Sequence, residues 1–321
     1  YHLGVDLGTT FTAAAACSAG QIDVVDLGNR STSMPSVVFL GDDGEFATGE
    51  SAERRAHTDP GRVAREFKRR LGDPTPIVLG GAPCSADLLT GELLRAAVAT
   101  AAERRGGPAG VVALTHPAAW GPSKLDLLRQ AGRIAECGDV VLVSEPEAAV
   151  VHYSSTERVE PGAIVAVYDF GGGTFDAAVV RKTSDGVEIL GRPIGVEQLG
   201  GVDFDQDVLR HVLGAAGDAV QSLDHTDPLV QAALIRLREE CRDAKEGLSM
   251  VDSAAVPVML PGVQATAELD RSGFESMIRP AVDRTISTLR EALASADVAP
   301  DDLQAVLLAG GSSRIPLVQQ M

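Results

Sequence analysis

One pattern of residues occurs twice in this chain and limits what the chain can fold into. In each copy an apolar run ends in an acid, a turn with glycine and threonine follows, and a second apolar run begins. The first copy, YHLGVDLGTTFTAAAA, contains Asp6, and the second, IVAVYDFGGGTFDAAVV at Ile164–Val180, contains Asp169. Each copy predicts two antiparallel strands joined by a glycine-containing turn. Because each copy continues through a further turn into a third strand, we expect two similar halves.

The turn of the second copy has more glycine than a tight turn needs. Gly171, Gly172 and Gly173 leave the backbone bare, which lets another group approach closely. Bare amides in a turn bind anions, and a carboxylate beside them can hold a hydrated cation. An ordinary glycine-rich hairpin is the alternative, and the repetition of the pattern makes it the weaker one. The two hairpins therefore predict a polyphosphate between them, with Asp6 and Asp169 contributing to a Mg²⁺ site.

The composition limits the classes of protein that fit. A length of 321 residues favours two domains, and a net charge of −17 argues against nucleic acid or an anionic membrane as the main partner. No signal peptide or long apolar stretch is visible, so we expect a soluble, cytoplasmic segment. The widely spaced cysteines predict buried thiols rather than a zinc site or disulfides. They are Cys17, Cys84, Cys137 and Cys241.

Strand and helix patterns alternate within each half, which predicts an α/β class. A polar segment containing Arg62–Gly72 is predicted to be helical, and Lys68 within it is either a site residue or an ordinary solvated lysine. Glu145 lies where the strand Val140–Ser144 meets a helix, so it either faces a ligand or favours the helix N-terminus. Thr156–Pro161 is expected to connect the halves.

Two further glycine-rich segments follow in the second half. Leu199–Asp205 is LGGVDFD, and Ala309–Pro316, after a predicted strand, is AGGSSRIP. Both predict backbone edges that a ligand could approach. The chain contains no GxxxxGK[ST], HExxH, GxSxG or GxGxxG motif, so P-loop, zincin, serine-hydrolase and Rossmann assignments lose their main support.

Six segments together resemble the ATPase domain of DnaK-type heat-shock chaperones, within the actin/hexokinase-like superfamily. GVDLGTT, FKRRLG, VSEPEAA, DFGGGTFD, LGGVDFD and AGGSSRIP occur in that family's order and at similar intervals along essentially the whole chain. The resemblance implies an α/β, actin-like ATPase fold in which two lobes, each a central mixed sheet flanked by helices, enclose ATP or ADP with Mg²⁺. It places lobe I at 1–160, with a shortened outer subdomain, and lobe II at 161–321, without the family's closing segment.

The resemblance also implies roles for individual residues. The implied catalytic residues are Lys68, which reaches the γ-phosphate, Glu145, near the attacking water, and Asp169, Thr174 and Asp176. The implied Mg²⁺ ligands, largely through water, are Asp6 and Asp169. The implied nucleotide-binding residues are Gly8, Thr9, Thr10, Phe11, Gly171, Gly172, Gly173, Thr174, Gly200, Gly201, Arg242, Lys245, Glu246, Ser249, Gly310, Gly311, Ser312, Ser313 and Arg314.

Three positions depart from the family pattern. Leu125 stands where an arginine would follow the switch proline Pro117, Arg242 stands where an acid is usual, and Glu246 replaces a residue that packs on the adenine. The resulting hypothesis is a slow, Mg²⁺-dependent ATPase that acts as a nucleotide-controlled clamp with a protein partner or client. A catalytically weak or inactive nucleotide-sensing module and a filament-forming actin relative are the alternatives.

Overall fold

The computed structural model describes residues 1–29, 31–157, 159–225 and 227–321. Its strands and helices alternate, as the α/β prediction requires. Arg158 falls in the predicted connection between the halves and lies outside the described residues. The predicted lobe boundary at 160 stays a prediction.

The first half of the chain forms one main sheet and two small ones. Its strands are β1 (His2–Leu7), β2 (Phe11–Ser18), β3 (Gln21–Val25), β4 (Ser33–Pro35), β5 (Val38–Leu40), β6 (Phe46–Thr48), β7 (Val63–Ala64), β8 (Ile77–Leu79), β9 (Ala82–Cys84), β10 (Val111–His116) and β11 (Val141–Ser144). Its helices are α1 (Gly49–Ala56), α2 (Ala86–Arg105), α3 (Pro122–Ile134) and α4 (Glu145–Thr156). The main sheet has the order β11-β10-β1-β2-β3, with β4 paired to β2.

The second half forms one main sheet and a long hairpin. Its strands are β12 (Ile164–Phe170), β13 (Thr174–Lys182), β14 (Val187–Glu197), β15 (Ser253–Leu260), β16 (Val263–Asp270) and β17 (Ala305–Ala309). Its helices are α5 (Gly201–Ala215), α6 (Pro228–Gly247), α7 (Arg271–Ser295) and α8 (Pro316–Gln320). The main sheet has the order β14-β13-β12-β17, and β15 pairs with β16.

The two main sheets share a plan. In the first, β1 pairs antiparallel with β2 and parallel with β10. In the second, β12 pairs antiparallel with β13 and parallel with β17. Both hairpins predicted from the repeated pattern are therefore present, each at the centre of its sheet. Since parallel strands end at the same edge of a sheet, the acids at the ends of β1 and β12 are placed at sheet edges.

Helix α4 precedes the second sheet in the sequence yet packs against it. Val150 of α4 is fully buried together with Val165 and Val167 of β12 and Val180 of β13. On the opposite face, three aromatic side chains of the second sheet and two from helices α5 and α7 are in edge-to-face contact, which is a favoured geometry for such pairs. They are Tyr168, Phe170, Phe175, Phe204 and Phe274. The second sheet is thus covered on both faces.

The prediction of a helical segment containing Arg62–Gly72 is wrong. Val63–Ala64 is a short strand paired with β5, and Phe67–Arg70, which includes Lys68, is a single 3₁₀ turn. Glu66 between them has a left-handed backbone with φ of +57°, which interrupts any continuous helix. Lys68 is therefore carried by a tight turn whose neighbouring Phe67 is buried.

Local capping explains where helix α4 begins. The Ser144 hydroxyl accepts a hydrogen bond from the Glu147 amide, and Pro146 occupies the first turn of α4. This cap places Glu145 directly after the last residue of β11.

In the part of the chain that the structure describes, no helix is long and apolar enough to span a membrane.

Candidate functional site

The turns of the two hairpins touch each other between the sheets. A Cβ atom on Gly173 would lie 2.5 Å from the Thr9 side chain, and one on Gly172 would lie 2.6 Å from that of Thr10. Real Cβ atoms do not approach other atoms so closely, so the contact requires glycine at both positions. The predicted meeting of Gly172, Gly173, Thr9 and Thr10 at one place is therefore observed.

The first turn is held by two buried hydroxyl groups. The Ser36 hydroxyl donates to the Gly8 carbonyl at 2.8 Å, and it is 2.9 Å from the Thr12 hydroxyl. Of the turn itself, these bonds use only the Gly8 carbonyl. Phe11, the last residue implied for this turn, is 44% exposed at the edge of the cleft.

The second turn is held by hydrogen bonds from two other segments of lobe II. Its Gly171 carbonyl accepts bonds from the Gly201 amide at 3.1 Å and from the Ser312 hydroxyl at 2.8 Å. Its Gly172 carbonyl accepts from the Val202 amide at 2.8 Å. The first amides of α5 are thereby satisfied by the turn. Both further glycine-rich segments predicted from the sequence thus contact the second turn.

Lysine and acids converge beside the two turns. The Lys68 ammonium donates to Glu145 Oε1 at 3.1 Å, and each of the two side chains is only 15% exposed. Asp6 and Asp169 are the next charges that act on Lys68. The Thr115 hydroxyl donates to Asp6 Oδ1 at 3.1 Å and orients that carboxylate. Four residues predicted as catalytic or metal-binding therefore form one cluster.

The electrostatics of this cluster are dominated by excess acid. Burial, followed by the charges of Glu145, Asp176 and Asp6, raises the pKa of Asp169 to about 8. Burial, followed by the charge of Glu145, raises the pKa of Asp176 to about 7. Although burial opposes the charge of Lys68, the neighbouring carboxylates raise its pKa. Because one lysine faces several acids, the cluster favours binding a further positive charge.

These residues fit a magnesium ion that is held mainly through water. Mg²⁺ is usually bound by one or two carboxylates together with waters and substrate phosphates. Asp6 and Asp169 offer two carboxylates. The pKa of Asp169 is raised first by burial and then by the neighbouring acids, and a dication would offset the negative charge of these acids. Within the described ranges there is no group of three or more His, Cys, Asp or Glu side chains able to hold a metal directly.

A salt bridge that the sequence patterns did not predict joins the lobes. Arg69, next to Lys68, donates two hydrogen bonds to Asp203 of α5, at 3.1 and 2.9 Å. Asp203 also accepts from the Gly200 amide at 2.8 Å. A Cβ on Gly200 would lie 2.5 Å from the Gly172 backbone, so Gly200 packs directly on the second turn. The sequence contained no pattern that pairs these two residues. Arg69 lies in FKRRLG and Asp203 in LGGVDFD, two of the segments that carry the family resemblance.

The residues implied for the nucleoside lie on α6 or just beyond it, and their surroundings differ. Lys245 is buried and pairs with Asp205 at 2.7 Å while donating to the Gly201 carbonyl at 3.1 Å, so it supports the start of α5. Glu246 is exposed, and Ser249, just beyond α6, is half-buried.

Arg242 faces a different neighbour, across the cleft. Its guanidinium lies 3.9 Å from Glu53 of α1, and both residues line a cavity of about 170 Å³ between the lobes. The cavity also touches Thr9 and Phe11 of the first turn. The cavity therefore connects the first turn with α6, and Arg242 lies at its far wall.

The AGGSSRIP segment forms a turn at the end of β17. Gly310 has a φ of +78°, and a Cβ there would lie 2.8 Å from Asp169 Oδ1, so this position also requires glycine. Gly311–Arg314 is a 3₁₀ turn in which Ser312 and Ser313 are buried and Arg314 is exposed. Ser313 donates to the Ala309 carbonyl at 2.5 Å. The segment thus contacts both Asp169 and the second turn.

One comparison with known proteins covers almost the whole chain. A family model described as Hsp70 protein matches residues 2–77 and 77–321. The matched range includes both glycine turns, Lys68, Glu145 and the AGGSSRIP segment. The predicted resemblance and the predicted fold class are thereby confirmed. This chain belongs to the Hsp70 family and has that family's two-lobed, actin-like ATPase fold.

Proposed function

We propose that this chain binds ATP with Mg²⁺ between the two glycine turns and hydrolyses it slowly. Its main support is the Lys68–Glu145 pair, 3.1 Å apart, beside Asp6 and Asp169 at the place where the two turns touch. Phosphoryl transfer requires positioning of water and neutralisation of the charge that spreads over the phosphate oxygens. Bare amides of the turns, a lysine and two acids that suit Mg²⁺ are groups of this kind.

Each group would have a separate task. Asp6 and Asp169 would hold the hydrated Mg²⁺, which supplies charge neutralisation at the phosphates. Lys68 would contact the terminal phosphate, and Glu145, which now accepts its hydrogen bond, would orient the attacking water. Asp176, opposite Asp169 in the ladder, would support that acid.

The test is steady-state ATP hydrolysis by the wild type and by Lys68→Ala. Removing the ammonium should lower kcat by about 100-fold, because its interaction strengthens as charge develops on the phosphate. Calorimetric affinity for Mg·ATP should change by less than about tenfold. Arg70→Ala is the matched control, because Arg70 lies in the same 3₁₀ turn but pairs with Asp73 outside the cleft. Wild-type turnover in Lys68→Ala would refute the role given to this lysine.

We further propose that the domain acts as a nucleotide-controlled clamp for a protein partner or client. Arg69 and Asp203 bind across the cleft, and Asp203 is linked through Gly200 to the second turn. A ligand that moves this turn would change how the lobes close. Small-angle scattering should give a smaller radius of gyration with Mg·ATP than without nucleotide, and the difference should diminish in Arg69→Ala. Equal radii in the wild type would contradict a clamp.

A nucleotide-sensing module with little or no hydrolysis is the second candidate. It is favoured by the exposed Glu246 on α6 and by Lys245, whose ammonium is occupied by Asp205 and the Gly201 carbonyl. Nucleotide binding without hydrolysis above the Lys68→Ala background would select it. Filament formation, the third alternative, would appear as ATP-dependent sedimentation of polymer.

A further inference from the structure

The only tryptophan of the chain lies beside the Lys68–Glu145 pair. Trp120 follows β10 in the loop that leads to α3, and its backbone amide donates to the Pro117 carbonyl at 3.1 Å. Its ring packs against the core of the first lobe. Neither the repeated pattern nor the roles proposed above involve this residue.

Two ammonium groups lie over this one ring. Lys68 Nζ is 5.6 Å and Lys124 Nζ is 5.5 Å from the centroid of the Trp120 ring. Both distances fall within the roughly 6 Å over which an indole face attracts a cation. Lys68 is largely withdrawn from water, so it has lost much of its hydration, and desolvation strengthens this attraction. The ring therefore provides Lys68 with a second stabilising partner besides Glu145.

The same loop and the first turn of α3 also reach lobe II. The Lys124 ammonium pairs with Glu197, which stands opposite Thr174 in the ladder of β13 and β14. One residue before Trp120, the Cβ of Ala119 lies 3.3 Å from the place a Cβ would take on Gly195 of β14. The loop is thus in contact with the strand that adjoins the second turn.

A small cavity lies between these groups. Its volume is about 20 Å³, which is enough for one water molecule. It is lined by Lys68, Trp120 and Lys124 and by one threonine from each turn, Thr9 and Thr174. The Trp120 ring therefore helps enclose the space that adjoins both turns and Lys68.

We propose that Trp120 is a positioning residue, whose ring face holds the Lys68 ammonium against Glu145 and, through Lys124, connects it with Glu197 of the second lobe. The kinetic part of this inference rests on the proposed ATPase function. The contact itself does not, because it is given by the positions of the Lys68 and Trp120 side chains alone. Simple core packing of Trp120 is the competing explanation.

The contact is tested by the emission of the single tryptophan in the full, ligand-free chain. A charge held over an indole ring shifts its emission, so Lys68→Met and Lys124→Met should each change the spectrum. Arg70→Met is the control, since Arg70 lies in the turn of Lys68 and pairs instead with Asp73. A spectrum of Lys68→Met identical to that of the wild type would overturn the proposal.

The positioning role is tested with Trp120→Leu and Trp120→Phe. Leucine keeps apolar bulk without a π face, whereas phenylalanine keeps a weaker one. We expect kcat for ATP to fall about tenfold in Trp120→Leu and to recover largely in Trp120→Phe. Affinity for Mg·ADP should stay within about twofold of the wild type in both variants. Lys68 would act on the terminal phosphate of ATP, which ADP lacks.

The outcomes separate the two proposals. Equal kcat in an active wild type and a folded Trp120→Leu variant overturns the positioning role alone. Equal losses in the leucine and phenylalanine variants, accompanied by equal losses of melting temperature, indicate packing and also overturn it. A wild type that hydrolyses no ATP above the Lys68→Ala background refutes the proposed function and with it the kinetic role, even where the spectra show the contact.

Discussion

Asp6 and Asp169 occupy equivalent positions in the two hairpins, each one residue before the end of the central strand. Their surroundings differ. The ladder places Ala13 opposite Asp6 but a second acid, Asp176, opposite Asp169. Along β1 every second residue is exposed, whereas β12 is largely buried. Residues of β12 that correspond to exposed residues of β1 are covered by α4. The same local pattern therefore gives an exposed acid in one lobe and a crowded, poorly solvated pair in the other.

This difference indicates how the two lobes contribute to the site. Asp6 is oriented by the Thr115 hydroxyl and faces solvent, so it can meet a hydrated ion at little cost. Mainly burial raises the pKa of Asp169 to about 8 and the pKa of Asp176 to about 7. The second hairpin is thus the one whose charge state depends most on a bound cation.

Exchanging each acid for its amide gives the largest expected effect and tests the comparison directly. Asp169→Asn should lower kcat for ATP by about 100-fold or more, because one of the two carboxylate charges that would hold Mg²⁺ is lost. It should also raise the melting temperature of the ligand-free protein at about pH 7, since folding then no longer has to protonate a buried acid that is ionised in the unfolded chain. Asp6→Asn should lower kcat while leaving that melting temperature nearly unchanged. Equal melting behaviour of the two variants would break the comparison.

A single methyl group in the second turn should weaken nucleotide binding. Gly173→Ala places a Cβ 2.5 Å from Thr9, so the turns must move apart. Such overpacking costs about 1–3 kcal/mol, which corresponds to about a fivefold to 150-fold loss of affinity. Calorimetry with Mg·ADP measures it. Gly171→Ala is the matched control, because the nearest atom to its Cβ is 3.7 Å away, and similar affinities in both variants would show that the turns need not touch.

The effect of Mg²⁺ should depend on pH through Asp169. Its pKa is raised from 3.8 to about 8, so the ligand-free folded state keeps a proton that the unfolded chain has released. The contribution of this group to stability is therefore complete below its unfolded pKa and is lost as pH rises through about 8. Because Mg²⁺ competes with that proton, Mg·ADP should raise the melting temperature more at about pH 8.5 than at about pH 6.5. Asp169→Asn should remove this dependence, and a pH-independent shift in the wild type would contradict the assignment.

The smallest expected effect concerns the support of the second hairpin. The buried Tyr168 hydroxyl forms a hydrogen bond with the Thr285 hydroxyl of α7 at 2.5 Å, whereas Val5, the equivalent residue of β1, has no hydroxyl. Tyr168→Phe should lower the free energy of unfolding by about 1 kcal/mol, because one buried hydrogen bond is lost. Urea denaturation measures it, and kcat should not change. A stability equal to that of the wild type would show that this bond adds nothing to the hairpin.

Local patterns were sufficient for the hairpins and for several helix starts. Alternating apolar strands with glycine between them require no distant partner to be recognised, and Ser85 and Ser144 cap α2 and α4 as such residues do. The turn that carries Lys68 was not predictable in the same way. Its form depends on the left-handed backbone of Glu66 and on a short strand pairing with β5.

The family, the paired acid–glycine turns and the acids at the sheet edges could be predicted from short stretches of the chain, because each is encoded within a few consecutive residues. Three contacts depend instead on long-range packing: Arg69 with Asp203, 134 residues away, Lys245 with the start of α5, and Trp120 with Lys68. These contacts join side chains from separate elements. Their formation depends on how the sheets and helices pack, which no local periodicity specifies.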